Sequence, residues 1–116
     1  MRHHRANRKF GRERGQRVAL LRTLASSLIL HGKIQTNAIK AKELRPFVEK
    51  LVTRAKTPTV ANRRLLHVRI GNTSIVSRLI KEVAPKYQKR QGGYTRISKL
   101  GVSRKDGTAQ SIIEFV

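Results

Sequence analysis

Between Gln16 and about Leu30, the apolar residues Val18, Leu21, Ala25 and Leu28 recur at the spacing of one helix face. Leu24 and Ile29 widen the stripe, and Gly32 supplies the usual stop. Lys33 to Thr36 reads as a short extended piece, a candidate third strand. Thr36 or Asn37 can then cap a second helix running from residue 38 to about 56. Its core face is Ala41, Leu44, Val48, Leu51 and Ala55. Pro46 removes one backbone donor, which predicts a kink or a restart near Lys42–Arg45.

Pro58 breaks the chain, and a third helix is expected from about Thr59 to Val68, before Gly71. Thr73 or Ser74 would cap a fourth, in which Ile75/Val76, Leu79/Ile80 and Val83/Ala84 recur every four residues. Pro85 weakens that helix and Gly92-Gly93 ends the helical half. The period then changes to two: Tyr94 to Leu100 alternates as a strand does, and so does Gln110 to Val116. Lys105-Asp106-Gly107 is turn chemistry between them. The expected fold class is α+β, with three to four helices packed on a small mixed or antiparallel sheet.

Charge changes this picture more than anything else in the composition. The 116 residues hold 27 Lys and Arg against 6 Asp and Glu, a formal net charge of +21. Cut at residues 37 and 70, each third holds nine basic residues, against one, two and three acids. Cations spread over every segment suit a protein wrapped by a polyanion rather than one with a basic tail on a neutral body. Residues 1–16 nevertheless stand apart as a basic N-terminal extension, with 17–116 as the single globular domain. The extension has too few apolar groups to bury and should order only among phosphates.

With 38% hydrophobic residues a modest core is possible. No Cys is present, so disulfide scaffolds, cysteine enzymes and Cys-ligated zinc are excluded. No stretch reaches the roughly 20 apolar residues of a membrane span. The start imitates a secretory signal or an Arg-rich presequence, but Arg22 interrupts the apolar run and His31-Gly32-Lys33 follows it. It reads as a mature N-terminus.

Catalytic constellations do not emerge. The acids Glu13, Glu43, Glu49, Glu82, Asp106 and Glu114 are scattered, so a magnesium-binding carboxylate cluster is not expected. Glu43 and Glu49 more naturally balance nearby cations. The four His show no metal-ligand spacing, although His31 and His67 leave room for a metal-free, His-dependent ribonuclease. No phosphate-binding loop is present. Catalytic, cofactor and metal residues are therefore expected to be none.

For binding, Arg outnumbers Lys sixteen to eleven, and its planar fork grips phosphate bidentately. Phe47 and Phe115 look like core, leaving Tyr94 balanced between base contact and strand packing. Gly92 and Gly93 are either a plain turn or a place where backbone approaches phosphate closely. The candidate RNA contacts are Arg2, His3, Arg5, Arg8, Lys9, Arg12 and Arg14 in the extension, Arg17 directly after it, and Arg22 and Lys33 further on. Lys40, Lys42 and Arg45 form a second face; Arg63, Arg64, Arg90 and the run Gly92, Gly93, Tyr94, Thr95, Arg96 form a third.

These residues carry a resemblance. Met1-Arg2-His3, Arg8-Lys9 and Arg17-Val18-Ala19-Leu20-Leu21-Arg22 are similar to the opening of bacterial large-subunit ribosomal protein L17. Lys40 to Arg45, Leu51-Val52-Thr53, Ala61 to Leu65, and Ala84-Pro85-Lys86-Tyr87 followed by Gly92 to Ile97 resemble its later motifs, in order, over essentially the whole chain. Asn7, Gln16 and Asn37 depart from the family's usual residues. The resemblance implies a non-catalytic constituent of the large ribosomal subunit. It would bind 23S-type rRNA near the peptide exit tunnel, a monomer beside neighbouring large-subunit proteins in the cytoplasm, with no cofactor, membrane or small-molecule substrate. An architectural DNA-binding protein of the nucleoid is the other expectation that charge alone permits.

Overall fold

The computed structural model describes residues 14–102 and 107–116. In order these form α1 (Arg14–His31), β1 (Lys33–Asn37), α2 (Ala38–Ala55), α3 (Val60–Ile70), α4 (Thr73–Arg78), β2 (Thr95–Val102) and β3 (Ala109–Phe115). The fold is α+β, and its sheet is wholly antiparallel in the order β1-β3-β2. The extended piece at Lys33 is thus a true third strand, with Ile34 opposite Ile113.

Helix α2 is the hub, touching all three strands as well as α1 and α3. Its predicted face is the buried one: Ala41, Leu44, Val48, Leu51 and Ala55 are all inside, joined by Val52. Full burial of each Leu or Val stabilises by about 1.5–3 kcal/mol. Asn37 caps it, its Oδ1 accepting from the Lys40 N–H at 2.8 Å. The helix runs unbroken through Pro46, so the expected restart does not occur. Helix α1 is described from Arg14, so Arg14 to Gln16, read from the sequence as the end of the extension, are helical. Ala25, Leu28 and Ile29 are its buried residues, whereas Val18 is 40% exposed.

Thr59 caps α3, and Gly71 ends it at φ 77°, a left-handed turn that a side chain would strain. The cap of α4 is Asn72, whose Oδ1 accepts from Ser74 and Ile75, rather than Thr73 or Ser74. After Arg78 the helix widens. Leu79–Val83 is a π-helical turn, closed by the Ala84 N–H donating to the Leu79 carbonyl, and Ala84–Tyr87 then tightens to 3-10 geometry. The sequence pattern contains the reason. Apolar pairs spaced every four residues drift about 40° per step on a helix of 3.6 residues per turn. A wider turn cancels that drift, and Val76, Leu79, Val83 and Ala84 all stay buried.

On the sheet, Ile113 and Ser111 of β3 face the helices and are fully enclosed. The Ser111 hydroxyl has no hydrogen-bond partner, a desolvation cost without return. Ser111→Ala is therefore expected to leave stability unchanged or raise it by up to about 1 kcal/mol, read from the thermal midpoint. A bulge between Lys99 and Gly101 shifts the β2–β3 register near the end of β2. Of the expected turn, Lys105 and Asp106 lie outside the described residues.

Candidate nucleic-acid interface

The strands and helices deal the candidate cations onto separate surfaces. Lys33 of β1 and Arg96 of β2 both pair with Glu114 of β3, so the three lie in one row across the solvent face of the sheet. Arg96 donates to Glu114 Oε1 through Nη2 at 2.8 Å and Nε at 3.2 Å, leaving its other N–H groups for an external acceptor. Lys42 and Arg45 are exposed on α2, and Lys40 is half-buried in its first turn. Arg63 and Arg64 are exposed on α3, where Arg63 Nε donates to the Pro58 carbonyl. Arg14 is exposed on α1 and Arg17 half-buried. Arg2, His3, Arg5, Arg8, Lys9 and Arg12 lie outside the described residues.

Three assignments change in the fold. Arg22, though exposed, lies along the end of α3: Nε and Nη2 donate to the Arg69 and Val68 carbonyls at 3.1 and 3.2 Å. A cation is favoured at such a C-terminus, so Arg22 serves the packing of α1 on α3. Tyr94 is 1% exposed and Thr95 3%, so neither offers a surface to a base. Burial decides for strand packing at Tyr94. Gly92 and Gly93 adopt φ of 84° and 64°, and nothing lies within 4 Å of where either Cβ would stand. Glycine is required there by the turn, and the space beside it is open to a phosphate.

The residues that hold this junction were missed. Glu49, read from sequence as balancing nearby cations, is chiefly a clamp for the backbone. Its Oε1 accepts from the Gly93 N–H at 3.0 Å, and Oε2 from the Thr95 N–H and hydroxyl at 3.1 and 2.9 Å. Arg45 Nε stands 3.8 Å from the same carboxylate. Lys56 Nζ donates to the Arg90 carbonyl and, at 3.1 Å, to the Tyr94 hydroxyl, which also bonds Thr53. The exposed Arg90 and Arg96 thus project from a segment fixed to α2. These partners stand 34 to 46 residues apart, beyond any local sequence pattern.

The two tyrosines sit 5.3 Å apart by ring centroids but in opposite electrostatic settings. Burial raises the Tyr94 pKa, but hydrogen bonds from Thr53, Gly92 and Lys56 and the Lys56 charge outweigh it, so the net shift is downward. At Tyr87 burial prevails over nearby Arg90, and the shift is upward. A phenolate absorbance titration should therefore resolve two steps, the first lost in Tyr94→Phe. By linkage, Tyr94 adds stability as pH rises through its depressed pKa, and Tyr87 loses its contribution as pH passes its raised one. A single step at the ordinary phenol value of about 10 would contradict these environments.

Among the described residues no three His, Asp or Glu side chains gather to hold a metal, and no helix is long and apolar enough to cross a membrane. His31 lies in the last turn of α1 and His67 in that of α3, both exposed.

Residues 20–116 match the family described as Ribosomal protein L17. The chain belongs to that family. Its relatives include the "Large ribosomal subunit protein bL17" of Persephonella marina, 55% identical over 100% of this chain and 95% of the relative. The protein of the same name from Gemmatimonas aurantiaca is 48% identical, over 100% of this chain and 98% of its own length. The exposed candidates on α2, α3 and the outer sheet face are where contact with RNA is geometrically open.

Proposed function

We propose that this protein is a structural constituent of the bacterial large ribosomal subunit, in the cytoplasm, where it binds and stabilises folded rRNA by neutralising phosphate charge. The observation that carries the reading is end-to-end identity of 48–55% with large-subunit bL17 proteins. The physical chemistry agrees: a net charge of +21 dispersed over the fold needs a surrounding polyanion. Its partners are rRNA and neighbouring ribosomal proteins. The finer reading places it near the peptide exit tunnel, as a non-catalytic monomer within the particle. Arg14, Arg22, Lys33, Lys42, Arg45, Arg63, Arg64, Arg90, Gly93 and Arg96 are the proposed contacts that the fold leaves exposed, and the extension would supply others.

Sedimentation of a cell lysate at moderate salt tests the reading. The protein should travel with large subunits and leave them only at high salt, since each phosphate contact releases counterions. Migration as a free protein, or with nucleoid DNA, would refute it. Loss of an RNA-cleaving activity on His31→Ala or His67→Ala would overturn the non-catalytic part alone.

A further inference from the structure

Between α2 and α3 lies a groove of about 490 Å³, within the range of roughly 300–1,000 Å³ typical of small-molecule sites. Phe47 and Leu65 line it and are only half-buried, so both retain solvent-facing apolar surface. Lys50 and Arg54 stand one turn apart on α2, and Arg69 faces them from α3; all three line the groove and are exposed. Among its described lining residues, the one carboxylate is Glu49, whose oxygens are engaged by Gly93 and Thr95. Arg54 Nη1 leans on Asn62 Oδ1 at 3.3 Å. None of these cations belongs to the contact faces read from the sequence.

An occupant has to bring flat apolar surface to Phe47 and Leu65 and negative charge to the three cations. The chain's own basic extension is repelled there, as is a second copy carrying +21. A cationic groove lined by a part-exposed aromatic side chain, here Phe47 packed against the core, is an arrangement that binds single-stranded nucleic acid, since every base has a ring face to stack. A base within a duplex is already stacked and cannot enter.

We propose that the α2–α3 groove docks an unpaired nucleotide of the bound RNA, its base against Phe47 and Leu65 and its flanking phosphates on Lys50, Arg54 and Arg69. The inference rests on the rRNA-binding reading and adds to it a site for one extruded base, of any identity.

The test uses the full-length chain with ¹³C-labelled leucine methyl groups, a single-stranded RNA tetranucleotide, and an abasic tetranucleotide of the same charge. The base-containing strand should shift the Leu65 methyl resonances by ring current, and the abasic strand should not. Phe47→Leu is expected to weaken binding of the base-containing strand by about fivefold or more without altering its salt slope. Arg69→Ala, on the exposed surface and free of folding risk to the core, should lower that slope by about 0.7.

Leu65 methyls that stay still while the tetranucleotide binds elsewhere would overturn the groove assignment and leave the RNA-binding reading standing. No RNA binding at all at physiological ionic strength would sink both. A response of Leu65 to an acidic peptide but not to RNA would also overturn the proposal, assigning the groove to a protein neighbour.

Discussion

Glu49→Ala is expected to destabilise the protein by about 3 kcal/mol, because hydrogen bonds to a charged group are worth roughly 1.5–3 kcal/mol each. Three donors lose their acceptor at once, and Thr95, 3% exposed, cannot recover its two from water. For a domain of this size the melting temperature should fall by on the order of 10 °C. Denaturant titration checks the value, with the midpoint moving at constant slope. Glu49→Gln should cost less, since the amide keeps one acceptor oxygen while setting an N–H₂ against one of the donors. Arg45→Ala is the control: its ion pair with Glu49 is 3.8 Å long and half-exposed on the Arg side, so less than about 1 kcal/mol should be lost. A Glu49→Ala variant as stable as the parent would show that the helix-to-sheet junction does not depend on this clamp.

Removing residues 1–13 should leave the domain folded and weaken RNA binding by about a hundredfold at 0.1 M salt. The cut falls before Arg14, so every described residue of α1 is kept. Arg2, Arg5, Arg8, Lys9 and Arg12 go with it. If about three of the five touch phosphate, the slope of log K against log salt falls by about two to three, at 0.7–0.9 per contact. Binding of an rRNA fragment at several salt concentrations measures this, with circular dichroism to confirm that the helices remain. An unchanged slope would remove the extension from the interface.

What could be read in the chain was whatever depends on near neighbours. Helix α2 was legible because Ala41, Leu44, Val48, Leu51 and Ala55 share a face and Asn37 stands one residue before it. The third strand was visible in Lys33 to Thr36 because it is short and extended between a Gly stop and a cap. That Arg14 to Gln16 are helical was not visible, since no apolar residue among them marks the face. The four-residue repeat after Ile75 is longer than the 3.6 residues of an α-turn, but a repeat of four does not by itself distinguish an ordinary helix from one holding a wider turn.

At the site, charge counting found the exposed cations but could not sort those that serve the fold. Arg22 and Arg96 look alike in sequence. One reaches carbonyls 46 and 47 residues away, whereas the other lies on an open sheet face. Tyr94 stayed ambiguous for the same reason: its partners Thr53 and Lys56 are 41 and 38 residues distant. Glu49 reads from the sequence as balancing nearby cations, which its ion pair with Arg45 matches, but nothing within one helical turn reveals a strand junction 44 residues on.

The strand order β1-β3-β2 places the last strand of the chain at the centre of the sheet. As the polypeptide is synthesised, β1 emerges early, yet its Asn37 pairs with Gln110. At about 5–20 residues per second, that strand waits on the order of ten seconds for a neighbour. Strand β2 has no hydrogen-bonded strand neighbour before β3 either. The sheet therefore closes in a single late event, when one segment threads between two that are already present. Until then the nascent chain offers two unpaired strand edges along with its positive charge, and early capture by RNA would hold them apart from those of other chains.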